Sequence, residues 1–250
     1  MRGALLATIV LLAAATAARA DTIKLLTTGA FKPAAQDIVA AFERQTGHQV
    51  TIINDTAGAL RQRVMNGEKF DVLVLTQEGL EGLAGTRRID DASITPLAKV
   101  GIGVAVPLSA PQPDITSVEG FRHTLLAARA VAYMDPAAGA TSGIYLTRLF
   151  QSMGIASEIA KKAVLVRGGL SAERVARGEA DIAIQQASEL KVVPVVRFAG
   201  YLPEQIQNYT IYSGALSADT NVLQAATALM VAFTDPTVDA ILRRRGLEMP

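Results

Sequence analysis

The sequence predicts an α/β fold of two lobes. Short aliphatic runs alternate with segments of helical periodicity in both halves of the chain. One such run, 72–75, is almost wholly apolar, as a parallel strand covered on both faces must be. The stretch 107–113 holds three prolines in seven residues and separates the two series. Together these give right-handed βαβ crossovers twice over, in lobes of about 100 residues, a usual domain size.

The first strand is expected at 23–26, running into Thr27, Thr28 and Gly29, with a helix opening near Pro33. Ala35, Ile38, Val39 and Phe42 form its apolar face, and Gly47 ends it. A strand at 50–53 leads through Asp55-Thr56-Ala57-Gly58 into a helix that reaches Gly67. After the strand 72–75, a longer one is expected at 100–106. The second series has strands at 130–133, 164–166 and 182–184, a helix over 143–153 and another starting at Ser171. Further extended segments are expected at 192–197 and 209–212. Asp235 and Pro236 mark a C-terminal helix start, and Gly246 its stop, with Arg243, Arg244 and Arg245 complementing the helix dipole.

Residues 1–20 read as an export signal: Arg2, an apolar core over 4–15, and the small-x-small site Ala18-Arg19-Ala20. The apolar run is shorter than the ~20 residues of a spanning helix. Removing Arg2 and Arg19 with the signal leaves 22 basic side chains against 23 acidic ones, which gives no electrostatic case for nucleic acid or anionic membrane as partner. The absence of cysteine excludes disulfides, zinc–thiolate sites and a cysteine nucleophile. No metal and no cofactor is expected.

Three strand ends lead into small, hydroxyl- and glycine-rich loops that open helices: 27–30 (Thr27, Thr28, Gly29), 55–59 (Thr56, Gly58) and 138–143 (Thr141, Ser142). Each offers free backbone N–H groups and a partial positive charge to an anion, and in open α/β sheets such loops lie where ligands bind. Alternatively, Thr and Ser merely cap their own helices. Arg167, before Gly168 and Gly169, is either a fixed positive charge for a carboxylate or a solvated loop residue. Gly101-x-Gly103 is not a dinucleotide fingerprint, because it lies inside a strand and lacks the third glycine.

At these residues the chain resembles the periplasmic solute-binding proteins of ABC transporters with type II architecture, nearest the molybdate-binding family. The resemblance rests on 25–38, on Leu60-Arg61-Gln62 with Gly67 before Asp71-Val72, on Asp135-Pro136 with Gly143-Ile144-Tyr145, and on Val175 with Gly178-Glu179-Ala180. It implies a periplasmic monomer of two lobes, 21–106 plus 209–250 and 107–208. The lobes would close on a small anion and deliver it to an ABC permease.

The ligand contacts depart from the molybdate pattern. Ala30 stands where that family has a serine, Thr56-Ala57-Gly58 replaces a serine cluster, and Gln185-Gln186 replaces a tyrosine. A desolvated tetrahedral dianion needs many donors, so an organic carboxylate is the expected ligand, with molybdate or another oxyanion as an alternative. Gln185, Gln186, Ser188, Glu189 and Leu190 instead resemble a branch that includes a periplasmic aconitate isomerase. Strand alternation lets only one of Gln185 and Gln186 point into the cleft. A non-enzymatic receptor is the leading expectation. The rival is an isomerase of a tricarboxylic acid, for which Glu189, Tyr212 or Lys32 would move the proton.

Overall fold

The computed structural model describes residues 20–250, so the expected export signal lies outside it except for Ala20. The strands are β1 (Thr22–Thr28), β2 (Gln49–Asp55), β3 (Val72–Thr76), β4 (Thr95–Pro107), β5 (Val131–Met134), β6 (Ala163–Val166), β7 (Ile182–Gln186), β8 (Val196–Tyr201) and β9 (Tyr209–Leu216). The helices are α1 (Lys32–Thr46), α2 (Ala57–Met65), α3 (Gln77–Glu81), α4 (Val118–Ala127), α5 (Thr141–Ser152), α6 (Ala156–Ala160), α7 (Ala172–Ala176), α8 (Ala187–Leu190), α9 (Leu223–Thr234) and α10 (Asp239–Arg244).

One strand path, β2-β1-β3-β9-β4-β7-β5-β6 with β8 also on β4, joins two half-sheets. β1 is parallel to β2 and β3, and β5 is parallel to β6 and β7, as two βαβ series require. β4 makes the connection. Its first half pairs with β9 and its second half with β7 and β8, with register shifts between Pro96 and Ala98 and between Val104 and Ala105. Irregularities of this kind bend a strand and let it leave one sheet for another. The expected strand 100–106 is therefore only the second half of a thirteen-residue strand. The extended segment expected at 192–197 is displaced to β8, because α8 and the turn after it occupy residues up to 195.

Each half-sheet is covered on both faces. In the first, α1 and α9 pack Ile38, Phe42, Leu229 and Phe233 on one side, and α2 and α3 pack Leu60, Val64 and Leu80 on the other. Phe31 and Phe233 meet edge to face at 5.4 Å, as do Tyr133 and Phe150 in the second half. The C-terminal arginines do more than complement a dipole. Arg245 holds Asp37 of α1 through two bonds of 2.8 Å, and Arg244 adds a third at 3.0 Å, fixing α10 to α1. Asp235 caps a short 3-10 turn through Thr237 N (2.8 Å), and α10 begins only at Asp239. Among the described residues, no single helix is long and apolar enough to cross a membrane.

Candidate functional site

The half-sheets face each other across a cleft of about 520 Å³. Three helices begin there: α1 after β1, α2 after β2 and α5 after β5. α1 and α5 start without a side-chain cap, at Phe31 and Ala140. In α1 Pro33 has no N–H and Ala34 N donates to the Phe31 carbonyl (3.1 Å), so the start of α5 is the more open of the two. α2 differs. The Thr56 hydroxyl accepts from Ala59 N (3.1 Å) and donates to the Ala138 carbonyl (2.6 Å), so although Thr56 lines the cleft, its hydroxyl caps its own helix.

Thr28, Gly29, Lys32, Thr56, Thr141, Ser142, Gln186, Glu189 and Tyr212 all line this one space. The residues come from both halves of the chain. Lys32 reaches the cleft from α1 and donates to Asn54 Oδ1 at 2.8 Å. Thr28 Oγ1 and Gln186 Oε1 are buried without a partner among the described residues. A buried polar atom without a partner is costly, and a ligand group would relieve that cost here.

Four of the candidate residues, Thr27, Gly58, Gln185 and Arg167, do not line this space. Thr27 is fully buried and points away from the cleft that Thr28 lines, as adjacent residues of a strand must. Gly58 does not face the ligand space. It packs against Gly139 at the outer edge of the cleft. Gln185 turns to the other face of β7, where its amide accepts from Ser171 N (2.7 Å) and donates to the Gly169 carbonyl (3.2 Å). It is Gln186 that lines the cleft, held by its amide on Thr210 Oγ1 at 3.0 Å. Arg167 is the solvated alternative: its side chain is 87% exposed and pairs with Asp135 at 3.3 Å, outside the cleft.

Glu189 sits at the heart of the site, only 9% exposed. It belongs to α8, which is fixed across the cleft by the Ser188 hydroxyl donating to the Ala30 carbonyl (2.7 Å). Its carboxyl lies so close to Gly29 that a Cβ there would come within 2.5 Å of Oε1. Burial pushes the Glu189 carboxyl up to about 8, offset only in part by the Gln185 amide. The Tyr212 hydroxyl is also pushed up, first by burial and then by the neighbouring Glu189. The side chains of Gln186, Thr141 and Thr28 act in the opposite sense. The site therefore offers two neutral hydrogen-bond donors beside uncapped helix starts. Glu189 is among the residues the sequence singles out, but the helix that carries it is not, because its four-residue length leaves no periodicity from which to find it.

Two further contacts hold the cleft shut. Gly58 N donates to the Gly139 carbonyl at 3.1 Å, next to the Thr56–Ala138 bond. The two glycine backbones touch so closely that a Cβ on Gly58 would lie 2.8 Å from Gly139 Cα. Gly58→Ala should therefore spread the lobes. We expect a larger radius of gyration in small-angle scattering and about tenfold weaker ligand binding, roughly 1.4 kcal/mol. An unchanged scattering profile would show that the contact does not hold the lobes together.

The sequence profile of the family Bacterial extracellular solute-binding protein matches residues 23–248. This chain belongs to that family. A curated relative within reach of it, aconitate isomerase from Pseudomonas sp., is 34% identical over 233 residues, covering 91% of this chain and 87% of that protein. Among solved structures, the periplasmic molybdate-binding protein of Azotobacter vinelandii superposes with a TM-score of 0.77 at 18% identity, over 91% of this chain and 99% of its own. Peb3 with L-phospholactate bound superposes with a TM-score of 0.69 at 14% identity, over 91% and 100% of the two chains. At such identities these structures establish the two-lobed solute-binding fold, and the ligand has to be argued from the residues of the cleft.

Proposed function

We propose that this solute-binding protein is periplasmic and takes a small organic polycarboxylate between its lobes, for delivery to an ABC permease. The observation that carries the reading is the character of the cleft floor. Glu189 and Tyr212 are buried, and that burial favours their protonated forms; Gln186 and Thr28 each leave a polar atom unpartnered, and among the described residues no arginine lines the space. An acid hydroxyl, a phenol and an amide suit the carboxylates and hydroxyls of an organic acid. A tetrahedral dianion calls instead for a shell of donors, and the unpartnered Gln186 Oε1, which can only accept, opposes that. The charge of the ligand would be met by the starts of α1 and α5 and by Lys32. The name of the 34% identical relative agrees with this class.

A second reading is favoured by the Glu189–Tyr212 pair. A carboxyl held near 8, next to a phenol in a closed cleft, is suited to proton transfer. In its ionised form Glu189 could remove a methylene proton from an unsaturated tricarboxylate. The double bond would move by one carbon, and the same proton would return to the far end of the allyl system. Nothing is consumed, and the product is the isomeric acid.

One experiment separates the two readings. Proton NMR of cis- or trans-aconitate with the protein should show saturation transfer from protein to ligand. A receptor leaves the isomer ratio unchanged over hours, whereas an isomerase brings both samples to the same ratio and Glu189→Gln abolishes this. Absence of saturation transfer for these and related di- and tricarboxylates would overturn the proposal.

A further inference from the structure

Resting on the polycarboxylate reading, we propose that Glu189 binds the ligand as a carboxylic acid, donating its hydrogen to a ligand carboxylate, so that the closed cleft holds ligand and proton together.

The geometry gives an ionised Glu189 little support, the Gln185 amide offsetting its burial only in part. The carboxyl is buried, no cation pairs with it among the described residues, and one oxygen is wedged against the Gly29 backbone. A ligand carboxylate in this space would meet it as a second negative charge at close range, at a carboxyl almost wholly buried in the protein. A shared hydrogen turns that repulsion into a charge-assisted hydrogen bond. The raised position of the Glu189 carboxyl, about 8 before any ligand is present, agrees with this. A bound anion can only move it further up.

The other groups that face Glu189 do not offer the same switch. Tyr212 on β9 is held protonated by burial. Lys32 on α1 is engaged with Asn54 at the cleft edge. Asp55 on β2 pairs outward with Arg63 at 3.3 Å, and Glu173 on α7 pairs outward with Arg177 at 3.2 Å. Gln185 and Gln186 on β7 do not titrate, and neither His48 nor His123 lines the cleft. Titration of ligand binding between pH 7 and 9 would thus belong to Glu189.

The inference has a sign that distinguishes it from base catalysis. If the bound state requires the acid, affinity is constant below the carboxyl's own titration and falls about tenfold per pH unit above it. A group needed as an ionised base would make turnover rise over the same range.

The test is calorimetry of trans-aconitate with the full chain in two buffers of different ionisation heat, at pH 6, 7, 8 and 9. The acid should be fully ionised over most of this range, so proton uptake reports on the protein. The expected result is uptake of roughly half a proton per ligand at pH 8, where the carboxyl is half ionised, and almost none at pH 6. Glu189→Gln, which keeps a neutral donor of the same shape, should bind within about fivefold of the parent at pH 7. It should take up no proton and lose the pH dependence. Buffer-independent heats in the parent protein, or a pH dependence that survives Glu189→Gln, would overturn the inference and leave the polycarboxylate reading intact. No binding of trans-aconitate, citrate or malate at any of these pH values would overturn the reading itself, and the inference with it.

Discussion

Glu189→Gln should stabilise the ligand-free protein, and the gain should grow with pH. The carboxyl ordinarily titrates near 4.5 and is pushed up to about 8 by burial in the closed cleft. Below the lower value both the folded and unfolded chains carry the proton, and the group imposes no penalty. Between the two values the unfolded chain has lost the proton and the folded chain has kept it. The folded state then binds more protons, so stability falls as pH rises. Glutamine does not titrate. The difference between the two proteins should open at about 1.4 kcal/mol per pH unit and reach on the order of 4 kcal/mol near pH 8. Chemical denaturation of both proteins at half-unit steps from pH 5 to 9 measures it. Parallel curves would mean that water reaches the carboxyl in the folded protein and that the cleft is open in solution.

Gly143→Ala should cost on the order of 3 kcal/mol, because the position has no room. Gly143 lies in the first turn of α5, where a Cβ would come within 2.1 Å of the Met134 carbonyl oxygen and 2.9 Å of its carbon. Both atoms are backbone at the end of β5, so the clash cannot be relieved by a side-chain rotation. α5 would have to lift from the sheet and carry Thr141 and Ser142 out of the cleft. Gly168→Ala is the matched control. Nothing lies within 4 Å of a Cβ there, and the change should stay within about 0.5 kcal/mol. Thermal melts of the two variants against the parent check the pair. Equal stability of Gly143→Ala and Gly168→Ala would contradict the close packing of α5 on β5.

Most of the fold was legible because its strands are apolar runs bounded by turn residues. Val72 to Leu75 and Ile182 to Ile184 are read directly from composition, and β1, β3, β5 and β7 come out in sequence order as expected. The second half of the chain was read less well. β4 spans both half-sheets, and its bends depend on partners distant in sequence. α8 is a single turn whose position is set by Ser188 on Ala30, a bond between residues 158 positions apart.

The cleft was legible in outline through its three helix starts. Which side chain reaches the ligand space was not. Thr27 against Thr28 and Gln185 against Gln186 are decided by strand phase, and the phase of β7 becomes visible only once the sheet is formed. The two readings of Arg167 could not be separated in the sequence for another reason. The residue follows β6, the edge strand, and Asp135 draws its guanidinium to the outer side of the cleft. Arg167→Ala should accordingly leave ligand affinity within about twofold, a value calorimetry can check. That outcome would locate the anion's charge compensation in α1, α5 and Lys32.

A thermal-shift panel tests most directly what the cleft holds. The protein would be melted with citrate, trans-aconitate, cis-aconitate, malate and succinate, and in parallel with molybdate, tungstate, sulfate and phosphate. A ligand present at 100 times its dissociation constant adds about 2.7 kcal/mol. At least one di- or tricarboxylate should raise the melting temperature by several degrees in a dose-dependent way, with the four oxyanions inert at matched ionic strength. Stabilisation by molybdate or sulfate with every carboxylate inert would contradict the reading of Glu189, Gln186 and Tyr212 as the floor of a carboxylate site.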